Sequence, residues 1–550
     1  MGLSRNDSGR RGRLVTLGAL LFIIGLGLAL RLHRLSEQSV WYDEYISVVH
    51  VDAPDLLTCL RAQRQLNWNL VPLYYALQYL WANTVTKSIA GIRVLSIIFG
   101  MLGAPLIYLI GRELYGRRAG LVAALCLSLS SVHIVQAQEL RNYSLTTLTA
   151  LLSAYTFVRI VRNGDRRWWG LHFAANLLLV WTHLFGCFLL VAEGCFLLAF
   201  HVRRWRRLAV WFGAGLALML PSLLWIRTIH DTVAPVAPLP LGTIVNNFFA
   251  DCASYTFGWF MPMDIAWEVT PPAWTEFFAR TYLRADRAHL LFFIVSIAYL
   301  GVHALVSARF DSRGRLSHTF QTRSKDGRNE LEPFVFLALW VFLPGLILFA
   351  LSRTWRPDIF SSKYTTYSSL GVYLMLGGMV ELLRKPIPRT LAVCILLVLY
   401  GHRLALTATR PQRTDWRSAT NHIKAQRTPD DVIIVSGWVQ DLVCRYNMRP
   451  VDTPVYQGKD LEEFCKKTDQ FLAEGHAVWA VCIAFGLNAP ETFERFLSLR
   501  GVPFSRKAYW SSAQWLFVYH ITKDEAFTAA GDGELPALYK RATEEPSAAP

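Results

Sequence analysis

The sequence predicts an α-helical polytopic membrane protein that ends in a small water-soluble α/β domain. Hydrophobic residues make up 53% of the 550 residues, and the mean hydropathy is +0.28. A soluble protein of this size cannot bury so much apolar material. Several runs, such as LAVWFGAGLALML and LLFFIVSIAYLGVHALV, approach the ~20 apolar residues with which a helix crosses a bilayer. Several such runs exclude a protein with a single membrane anchor.

The first apolar run, LVTLGALLFIIGLGLAL, follows a basic stretch that contains Arg10, Arg11 and Arg13. This order resembles a secretory signal. However, the run lacks a small-residue cleavage site and leads directly into a polar and aromatic segment. We therefore interpret it as a retained first transmembrane helix.

Eleven transmembrane helices are predicted from the lengths of the apolar segments. The predicted spans are 14–31, 90–110, 118–135, 143–161, 168–183, 185–201, 208–228, 288–307, 333–351, 366–383 and 390–408.

The net charge of +16 comes from arginines and lysines that cluster between these spans. With a cytoplasmic N-terminus, the cytoplasmic loops contain most of the basic clusters, a sustained positive-inside pattern. The charge therefore marks orientation and does not indicate a nucleic-acid partner. The clusters are Arg112, Arg117 and Arg118; Arg162, Arg166 and Arg167; Arg203, Arg204, Arg206 and Arg207; the segment 309–328; and Arg384, Lys385 and Arg389.

With this topology, a transmembrane domain is predicted over residues 1–408, with two large loops on the outer side at 32–89 and 229–287. The first loop contains WYDEYISVVH and VPLYYALQYLW, aromatic amphipathic stretches that suit helices lying in the membrane interface. A soluble domain follows at 409–530, also outside. The last segment, 531–550, is rich in Glu, Ala and Pro, and we expect it to be disordered.

The soluble domain alternates between helical and strand patterns. DWRSATNHIKAQ and DLEEFCKKTDQFLAEG predict helices, whereas DDVIIVSG, HAVWAVCIAF and QWLFVYHIT predict strands. This order indicates a small α/β domain. Its three cysteines, Cys444, Cys465 and Cys482, allow one disulfide of unknown pairing.

Asp43 and Glu44 are adjacent carboxylates set among aromatic residues just after the first span. A second anion and partial desolvation raise the pKa of an aspartate, which makes it a better general base for a hydroxyl group. The alternative is that both are helix-capping or interfacial charges. The pair alone does not decide between these two interpretations.

The motif QAQELRNYS, residues 136–144, follows the third span on the same side of the membrane as Asp43. Glu139 could bind a polar substrate, and Arg141 could bind a phosphate, because a guanidinium matches phosphate oxygens in bidentate fashion. The alternative is a local ion pair that closes a turn.

Three cations, Arg353, Arg356 and Lys363, lie in a short outer loop, against the positive-inside trend. An anionic lipid phosphate is a natural partner for such charges, and ordinary headgroup contact is the alternative. His183, in WTHLFG, could contact a substrate or form a hydrogen bond between helices.

Motifs for nucleotide hydrolysis and zinc chemistry are not found. The sequence contains no GxxxxGK[ST], GxGxxG, HExxH or CxxC pattern.

In order along the chain, the motifs WYDE, PLYYALQYLW, GRELYGRRAG, QAQELRNYSL, WTHLFG, KYTTYSSLGVYL and DWRSAT resemble those of bacterial GT-C glycosyltransferases of family 39. Relatives in this group are the protein O-mannosyltransferases and the lipid A aminoarabinose transferase. The resemblance covers the membrane part of the chain in order, and it favours the functional interpretation of each motif.

The resemblance implies a GT-C fold and an inverting glycosyltransferase of the bacterial inner membrane that uses a polyprenyl-phosphate sugar. The acceptor would be a lipid, a glycan or a protein. Asp43 would be the general base, and Glu44 would orient the acceptor or tune Asp43. Cations would stabilise the leaving phosphate, so we expect no obligatory divalent metal, although related enzymes with other donors use one. The implied substrate-binding residues are Glu139, Arg141, Tyr143, His183, Arg353, Arg356 and Lys363.

Two other classes of protein remain as alternatives. A transporter or flippase of lipid-linked sugars would also need many helices and phosphate-binding cations, and it predicts polar residues inside the spans and repeated halves. The sequence shows no paired broken helices and no internal repeat, and the candidate acids lie at the outer surface. A non-catalytic scaffold that displays the soluble domain would leave Asp43, Glu139 and Arg141 without a role.

Overall fold

The fold was obtained as a computed structural model. It describes residues 4–66, 71–163, 165–227, 291–292, 294–306, 331–354, 362–409, 413–437, 440–450, 454–483, 489–510, 515–522 and 534–544. The chain forms two compact units. Of the described residues, the helical unit contains those before Ser36 and those from Val49 to Leu406, and the soluble unit contains Ser36–Val48 and those from Thr407 onwards. The predicted outer loop 229–287 lies outside the described residues.

Long apolar helices make up the first unit. They are α1 (Ser4–Leu32), α3 (Leu56–Leu66), α4 (Leu73–Thr84), α5 (Ile89–Leu114), α6 (Arg117–Leu129), α7 (Ser131–Ala137), α8 (Tyr143–Asn163), α9 (Arg166–Thr182), α10 (Cys187–His201), α11 (Trp205–Arg227), α12 (Ile294–Val306), α13 (Leu331–Thr354), α14 (Ser368–Leu382) and α15 (Pro386–Thr409). Short 3₁₀ helices at Leu184–Gly186 and Ser362–Thr365 precede α10 and α14. Helix α2 (Tyr42–Val48) belongs to the other unit.

A helix lies at each of the eleven positions where a span was predicted. In the described part of the chain, six helices are long and apolar enough to cross a membrane, and a bent pair makes a possible seventh. Three shorter apolar helices, Leu208–Ser222, Ile294–Val306 and Ser368–Leu382, fall below this length. The protein is a multi-pass membrane protein, and the expected eleven spans exceed the number that meets this criterion.

The third predicted span is broken. Helices α6 and α7 meet at an angle of 59°, so the single helix predicted over 118–135 is two helices. The break exposes carbonyl groups at the end of α6, and the buried guanidinium of Arg31 donates to the carbonyls of Leu127 and Ser128 at 3.2 and 3.1 Å. Buried carbonyl groups need such partners in a membrane protein.

Close helix packing in this unit depends on two glycines. A Cβ atom at Gly120 would collide with the carbonyl oxygen of Tyr108, and one at Gly377 would collide with the carbonyl oxygen of Ala119. Helix α6 thus approaches α5 on one side and α14 on the other at backbone distance. Small residues that allow such approach are the usual means of helix association in membranes.

Four helices are joined by a buried polar cluster. The hydroxyl of Ser153 on α8 lies 2.5 Å from the Asn176 Oδ1 atom on α9 and 3.0 Å from the Glu193 Oε1 atom on α10. Trp211 on α11 donates its Nε1–H to the Nε2 atom of His172 at 3.2 Å. Interhelical hydrogen bonds replace the hydrophobic effect as a source of specificity inside a bilayer.

The soluble unit contains a five-stranded sheet of order β2-β1-β3-β5-β4. Strands β1, β2 and β3 are parallel, and β5 pairs antiparallel with β3 and β4. The strands are β1 (Val432–Ser436), β2 (Val455–Gly458), β3 (Val478–Ile483), β4 (Phe504–Trp510) and β5 (Trp515–Ile521). The helices are α16 (Trp416–Gln426), α17 (Gln440–Met448), α18 (Leu461–Ala473), α19 (Ala489–Leu499) and α20 (Glu534–Glu544). The predicted α/β domain is confirmed.

Alternate residues of the central strands pack into two separate cores. On β1, Ile434 faces the core that contains α18 and α19, and Ile433 faces the core that contains α16 and α17. Both faces of a mainly parallel sheet are covered in this way, which explains why β1 and β3 are continuous apolar runs. The three cysteines of this domain are buried and free.

The expectation that 531–550 is disordered is wrong for its central part. Residues Glu534–Glu544 form helix α20, and Ala542 is fully buried against the core of α18 and α19. Leu535, Leu538 and Tyr539 pack around it. Their spacing of three, four and seven residues is the apolar stripe of a short amphipathic helix, which the polar composition of this segment conceals.

The predicted soluble domain, which began at residue 409, omits a segment from the start of the chain. Residues Ser36–Val48, from the predicted first loop, belong to the same compact unit as the chain after Thr407. Helix α2 packs Tyr42 and Tyr45 against the core of α16 and α17. Contacts between residues about 370 positions apart cannot be read from local sequence patterns.

Candidate active site

The two predicted catalytic carboxylates lie on α2, in the soluble unit. Asp43 is half-buried, and Glu44 is fully buried. The helix begins with backbone N–H groups of Glu44 and Tyr45 donating to the carbonyl of Trp41 at 3.0 and 2.8 Å. Consecutive residues of an α-helix project about 100° apart. The two carboxylates therefore face different surroundings.

Glu44 has an ionic partner that the sequence did not indicate. The Nη1 atom of Arg413 lies 3.1 Å from the Oε2 atom of Glu44, and the two side chains are 2% and 0% exposed. Removing one member of such a buried pair leaves an uncompensated charge. The structure thus gives Glu44 a role in anchoring α2, and its predicted action on the acceptor or on Asp43 stays a prediction.

The chain just before α2 is held by the motif TDWR. Arg417 donates from Nη1 to the carbonyl of Ser36 at 2.5 Å and from Nη2 to the carbonyl of Gln38 at 3.4 Å. Its backbone N–H donates to the hydroxyl of Ser39 at 3.0 Å, and that hydroxyl donates to Asp415 at 3.3 Å. Asp415 also caps α16 by accepting from the N–H of Ser418.

In the helical unit, the predicted segment QAQELRNYS connects α7 to α8 and is buried along most of its length. Glu139 and Arg141 are only 6% and 7% exposed. Burying charged groups costs free energy unless they are paired. A membrane protein that keeps both in one short turn usually does so for a function.

Three predicted motifs meet in this unit. The guanidinium of Arg141 lies over the ring of Tyr143, with 5.9 Å to its centroid. The ring of His183 is 6.3 Å from that of Tyr143 and 5.6 Å from that of Tyr364. QAQELRNYS, WTHLFG and KYTTYSS, which are far apart in sequence, therefore form one cluster that we call the Arg141 cluster.

Two hydrogen bonds fix the backbone of the Arg141 cluster. The side-chain amide of Asn142 donates to the carbonyl of Thr182 at 2.6 Å. The hydroxyl of Tyr367 donates to the carbonyl of Phe185 at 2.7 Å. Both bonds lie among buried residues, where an unmade hydrogen bond is costly. They hold the residues around His183 in one arrangement.

The predicted outer cations are described only in part. Lys363 lies half-buried in the 3₁₀ helix Ser362–Thr365, directly before Tyr364. Lys363 is therefore the sequence neighbour of a residue of the Arg141 cluster. Arg353 lies in the last turn of α13, with its side chain outside the described part, and Arg356 is outside the described residues. Their predicted roles stay predictions.

Sequence reasoning missed several residues of these arrangements. Arg413 carried no signal, because it is one of two arginines in the connecting segment RPQRTDW. Asn142, Tyr364 and Tyr367 lie inside recognised motifs, but their partners are distant in sequence. Arg417 belongs to the recognised motif DWRSAT, which offered no role for it.

Among the described residues, no group of three or more His, Cys, Asp or Glu side chains could hold a metal ion. The expected independence of divalent metals stays a prediction.

Each unit holds a group that can carry the chemistry predicted for it. The soluble unit holds a half-buried carboxylate, Asp43, on helix α2. The helical unit holds a buried guanidinium, Arg141, with aromatic rings beside it. A carboxylate can accept a proton from a hydroxyl group, and a guanidinium can stabilise a negatively charged phosphate.

A protein-family comparison matches residues 71–225 to the family described as dolichyl-phosphate-mannose-protein mannosyltransferase. The matched segment contains α4 through most of α11, including Glu139, Arg141, Tyr143 and His183. The resemblance to protein O-mannosyltransferases, which are glycosyltransferases, is confirmed for this segment. A comparison of the whole sequence with curated proteins gives no match.

Solved structures of two kinds are similar over most of the chain. ArnT from Cupriavidus metallidurans in the apo state is 15% identical, with a TM-score of 0.41 over 95% of this chain and 100% of ArnT. ArnT bound to undecaprenyl phosphate is 14% identical, with a TM-score of 0.40 over 94% and 99% of the two chains. The Archaeoglobus fulgidus oligosaccharyltransferase tethered with an acceptor peptide is 13% identical, with a TM-score of 0.42 over 85% and 69%. Identities and scores this low do not transfer residue roles.

Proposed function

We propose that the protein is a membrane glycosyltransferase that moves a sugar from a polyprenyl-phosphate donor to an acceptor hydroxyl group. The Arg141 cluster carries this proposal, because it buries a cation and aromatic rings at the join of two helices in a lipid environment. The family match includes Arg141, Tyr143 and His183 of this cluster and supports sugar transfer from a lipid phosphate.

In the proposed reaction, the carboxylate of Asp43 accepts the proton of the acceptor hydroxyl group. The hydroxyl oxygen forms a bond to the anomeric carbon of the sugar, and the bond between that carbon and the phosphate oxygen breaks. Polyprenyl phosphate leaves with the bonding electron pair. Attack opposite the leaving group inverts the anomeric configuration.

Arg141 is proposed to stabilise the negative charge that develops on the leaving phosphate, with Lys363 as a second cation. Preorganised cations act most strongly in a site from which water is excluded. Tyr143, His183 and Tyr364 would contact the sugar or hold Arg141 in place. Glu139 would accept hydrogen bonds from sugar hydroxyl groups.

The positive-inside pattern supports a bacterial inner-membrane protein with a cytoplasmic N-terminus and the soluble unit on the outer side. In this orientation, the donor is a sugar already carried on a lipid at the outer face. The acceptor class is a lipid, a glycan or a protein.

The test uses the purified full-length protein in lipid nanodiscs, with a panel of radiolabelled polyprenyl-phosphate sugars and membrane extract as the acceptor source. Release of polyprenyl phosphate and labelling of the acceptor are measured for wild type and Asp43→Asn. We expect one donor to be consumed and the Asp43→Asn variant to be about 100-fold or more slower, the usual contribution of a general base.

The matched control is Asp52→Asn. Asp52 follows Asp43 closely in the chain, and its exposed carboxylate forms an ion pair with Lys87. Its activity should equal that of wild type. Equal activity of Asp43→Asn and wild type would remove Asp43 from the mechanism. Donor binding without release of polyprenyl phosphate and without acceptor labelling would favour a flippase instead.

A further inference from the structure

The soluble domain contacts the short segment Ser36–Val48 through an ion pair and several hydrogen bonds. Helix α2 in this segment has seven residues, fewer than two full turns. An isolated helix of this length does not persist in water, because nucleation costs more than the few hydrogen bonds return. The direction in which Asp43 projects therefore depends on what holds α2 from outside.

The buried pair between Arg413 and Glu44 is the first of these restraints. Its two side chains are almost fully buried and lie 3.1 Å apart. Because Glu44 follows Asp43 directly, fixing the Glu44 side chain also fixes the rotation of α2 about its axis. The Asp43 carboxylate then has one direction relative to the soluble domain.

Backbone contacts set the position of α2 along its axis. Arg417 donates to the carbonyls of Ser36 and Gln38, and the side-chain amide of Asn447 donates to the carbonyl of Val40 at 3.0 Å. The rings of Tyr45 and Tyr446 meet edge to face with centroids 5.9 Å apart. Both the start and the middle of the segment are thus held.

We infer that the soluble domain positions the proposed base, with Arg413 and Arg417 as positioning residues that hold the helix bearing Asp43. This inference rests on the proposed function, and it gives the domain a role in catalysis without contact with the substrate. A displacement of about 1 Å in a reacting group can cost about 100-fold in rate.

The first measurement is hydrogen exchange of the peptide 36–48 in the full-length protein, for wild type, Arg413→Gln and Arg413→Lys. Arg413→Gln should exchange at least tenfold faster in this peptide, because it removes the cation that lies 3.1 Å from the buried Glu44 carboxylate. Arg413→Lys keeps a cation opposite Glu44 and should restore part of the protection.

The second measurement separates kcat from KM for the donor and the acceptor. For Arg413→Gln we expect kcat to fall about 100-fold with both KM values within about threefold of wild type, since α2 would move but the binding residues would not. Arg413→Lys should recover at least a tenth of the wild-type kcat.

The matched control is Arg500→Gln. Arg500 forms a 2.6 Å ion pair with the buried carboxylate of Asp469 in the same domain, away from Ser36–Val48. Its loss should destabilise the domain with neither faster exchange in the peptide 36–48 nor a lower kcat. If Arg500→Gln lowers kcat as much as Arg413→Gln does, general destabilisation explains the effect and the inference is wrong.

Two other results would overturn the inference. Unchanged exchange of the peptide 36–48 in Arg413→Gln would show that the pair does not hold α2. Faster exchange with an unchanged kcat would show that the position of α2 does not matter to the reaction. A wild type that transfers no sugar would instead contradict the proposed function, and hydrogen exchange would still decide whether Arg413 holds α2.

Discussion

The hydroxyl of Tyr367 donates a hydrogen bond of 2.7 Å to the backbone carbonyl of Phe185. These residues are 182 positions apart, and each follows a residue of the Arg141 cluster within a few positions. The bond joins the 3₁₀ helix before α10 to the chain that enters α14. The arrangement of His183 beside Tyr364 therefore depends on it.

Substituting Tyr367→Phe removes this bond and leaves the Phe185 carbonyl buried without it. We expect a loss of about 1 to 3 kcal/mol in stability and weaker donor binding. Thermal unfolding in detergent and a donor-binding titration measure both effects. Tyr456→Phe, at a partly exposed ring in the soluble domain, is the control and should change neither.

Arg141→Gln tests the stabilisation of the leaving phosphate. We expect kcat to fall about 100- to 1000-fold, as for the loss of a preorganised donor at a developing charge. The kcat of Arg141→Lys should fall less, because a lysine keeps the positive charge although it loses the bidentate geometry. The measurement is steady-state kinetics with the donor that the panel of polyprenyl-phosphate sugars identifies.

The control for Arg141 is Arg159→Gln on α8, the helix that follows Arg141. Arg159 pairs with Glu113 at 3.2 Å and lies near the other end of α8. Its replacement should leave kcat unchanged. Equal losses in both variants would mean that Arg141 supports α8 and not the reaction.

The Ser153 hydroxyl group should stabilise the helical unit. Ser153→Ala removes contacts with Asn176 and Glu193, and we expect a loss of about 0.6 to 1.7 kcal/mol, the range for hydrogen bonds between membrane helices. The midpoint of thermal unfolding in detergent measures the loss. Leu198→Ala, at an exposed position on α10, should have a smaller effect. A larger effect of Leu198→Ala would contradict the proposed importance of the polar cluster.

The stability of the soluble domain should depend on the ionisation of Asp431. Burial raises the pKa of this carboxyl, but hydrogen bonds from Thr428 and from the indole of Trp479 outweigh it, so the pKa lies below its ordinary value. The carboxylate therefore contributes stability above its unfolded-state pKa, and this contribution is lost as the pH falls through the lower folded-state pKa.

Asp431→Asn tests this dependence through the midpoint of thermal unfolding between pH 7 and pH 3. The variant should be less stable than wild type at pH 7, and the difference should shrink at the acidic end of this range. Asp430→Asn, at the exposed neighbouring position, should follow wild type throughout. A difference for Asp431→Asn that does not change with pH would exclude the ionised carboxylate as its cause.

Much of the fold could be predicted from the sequence, because its signals are local. The length of the apolar segments located helices at eleven positions, and short apolar runs located β1, β3 and β5. Strand β2 has four residues, too few for a clear pattern. Helix α20 was not predicted, because its apolar face consists only of Leu535, Leu538, Tyr539 and Ala542 in an otherwise polar segment.

The candidate functional residues also differ in whether the sequence indicated them. Asp43, Glu139, Arg141 and His183 were identified from the sequence, because charged and polar groups beside apolar runs are conspicuous. The ion pair of Arg413 with Glu44 was not predicted, because the sequence around Arg413 does not indicate a partner that is far away in the chain.

The sequence by itself determined that the chain crosses a membrane several times and ends in an α/β domain, since both follow from local apolar periodicity. It also determined which residue types are available for sugar transfer. The tertiary structure alone showed that Ser36–Val48 belongs with the soluble domain, that His183 lies beside Tyr364, and that α6 ends in a break capped by Arg31. These features depend on contacts between residues far apart in the chain, and local sequence patterns carry no information about such contacts.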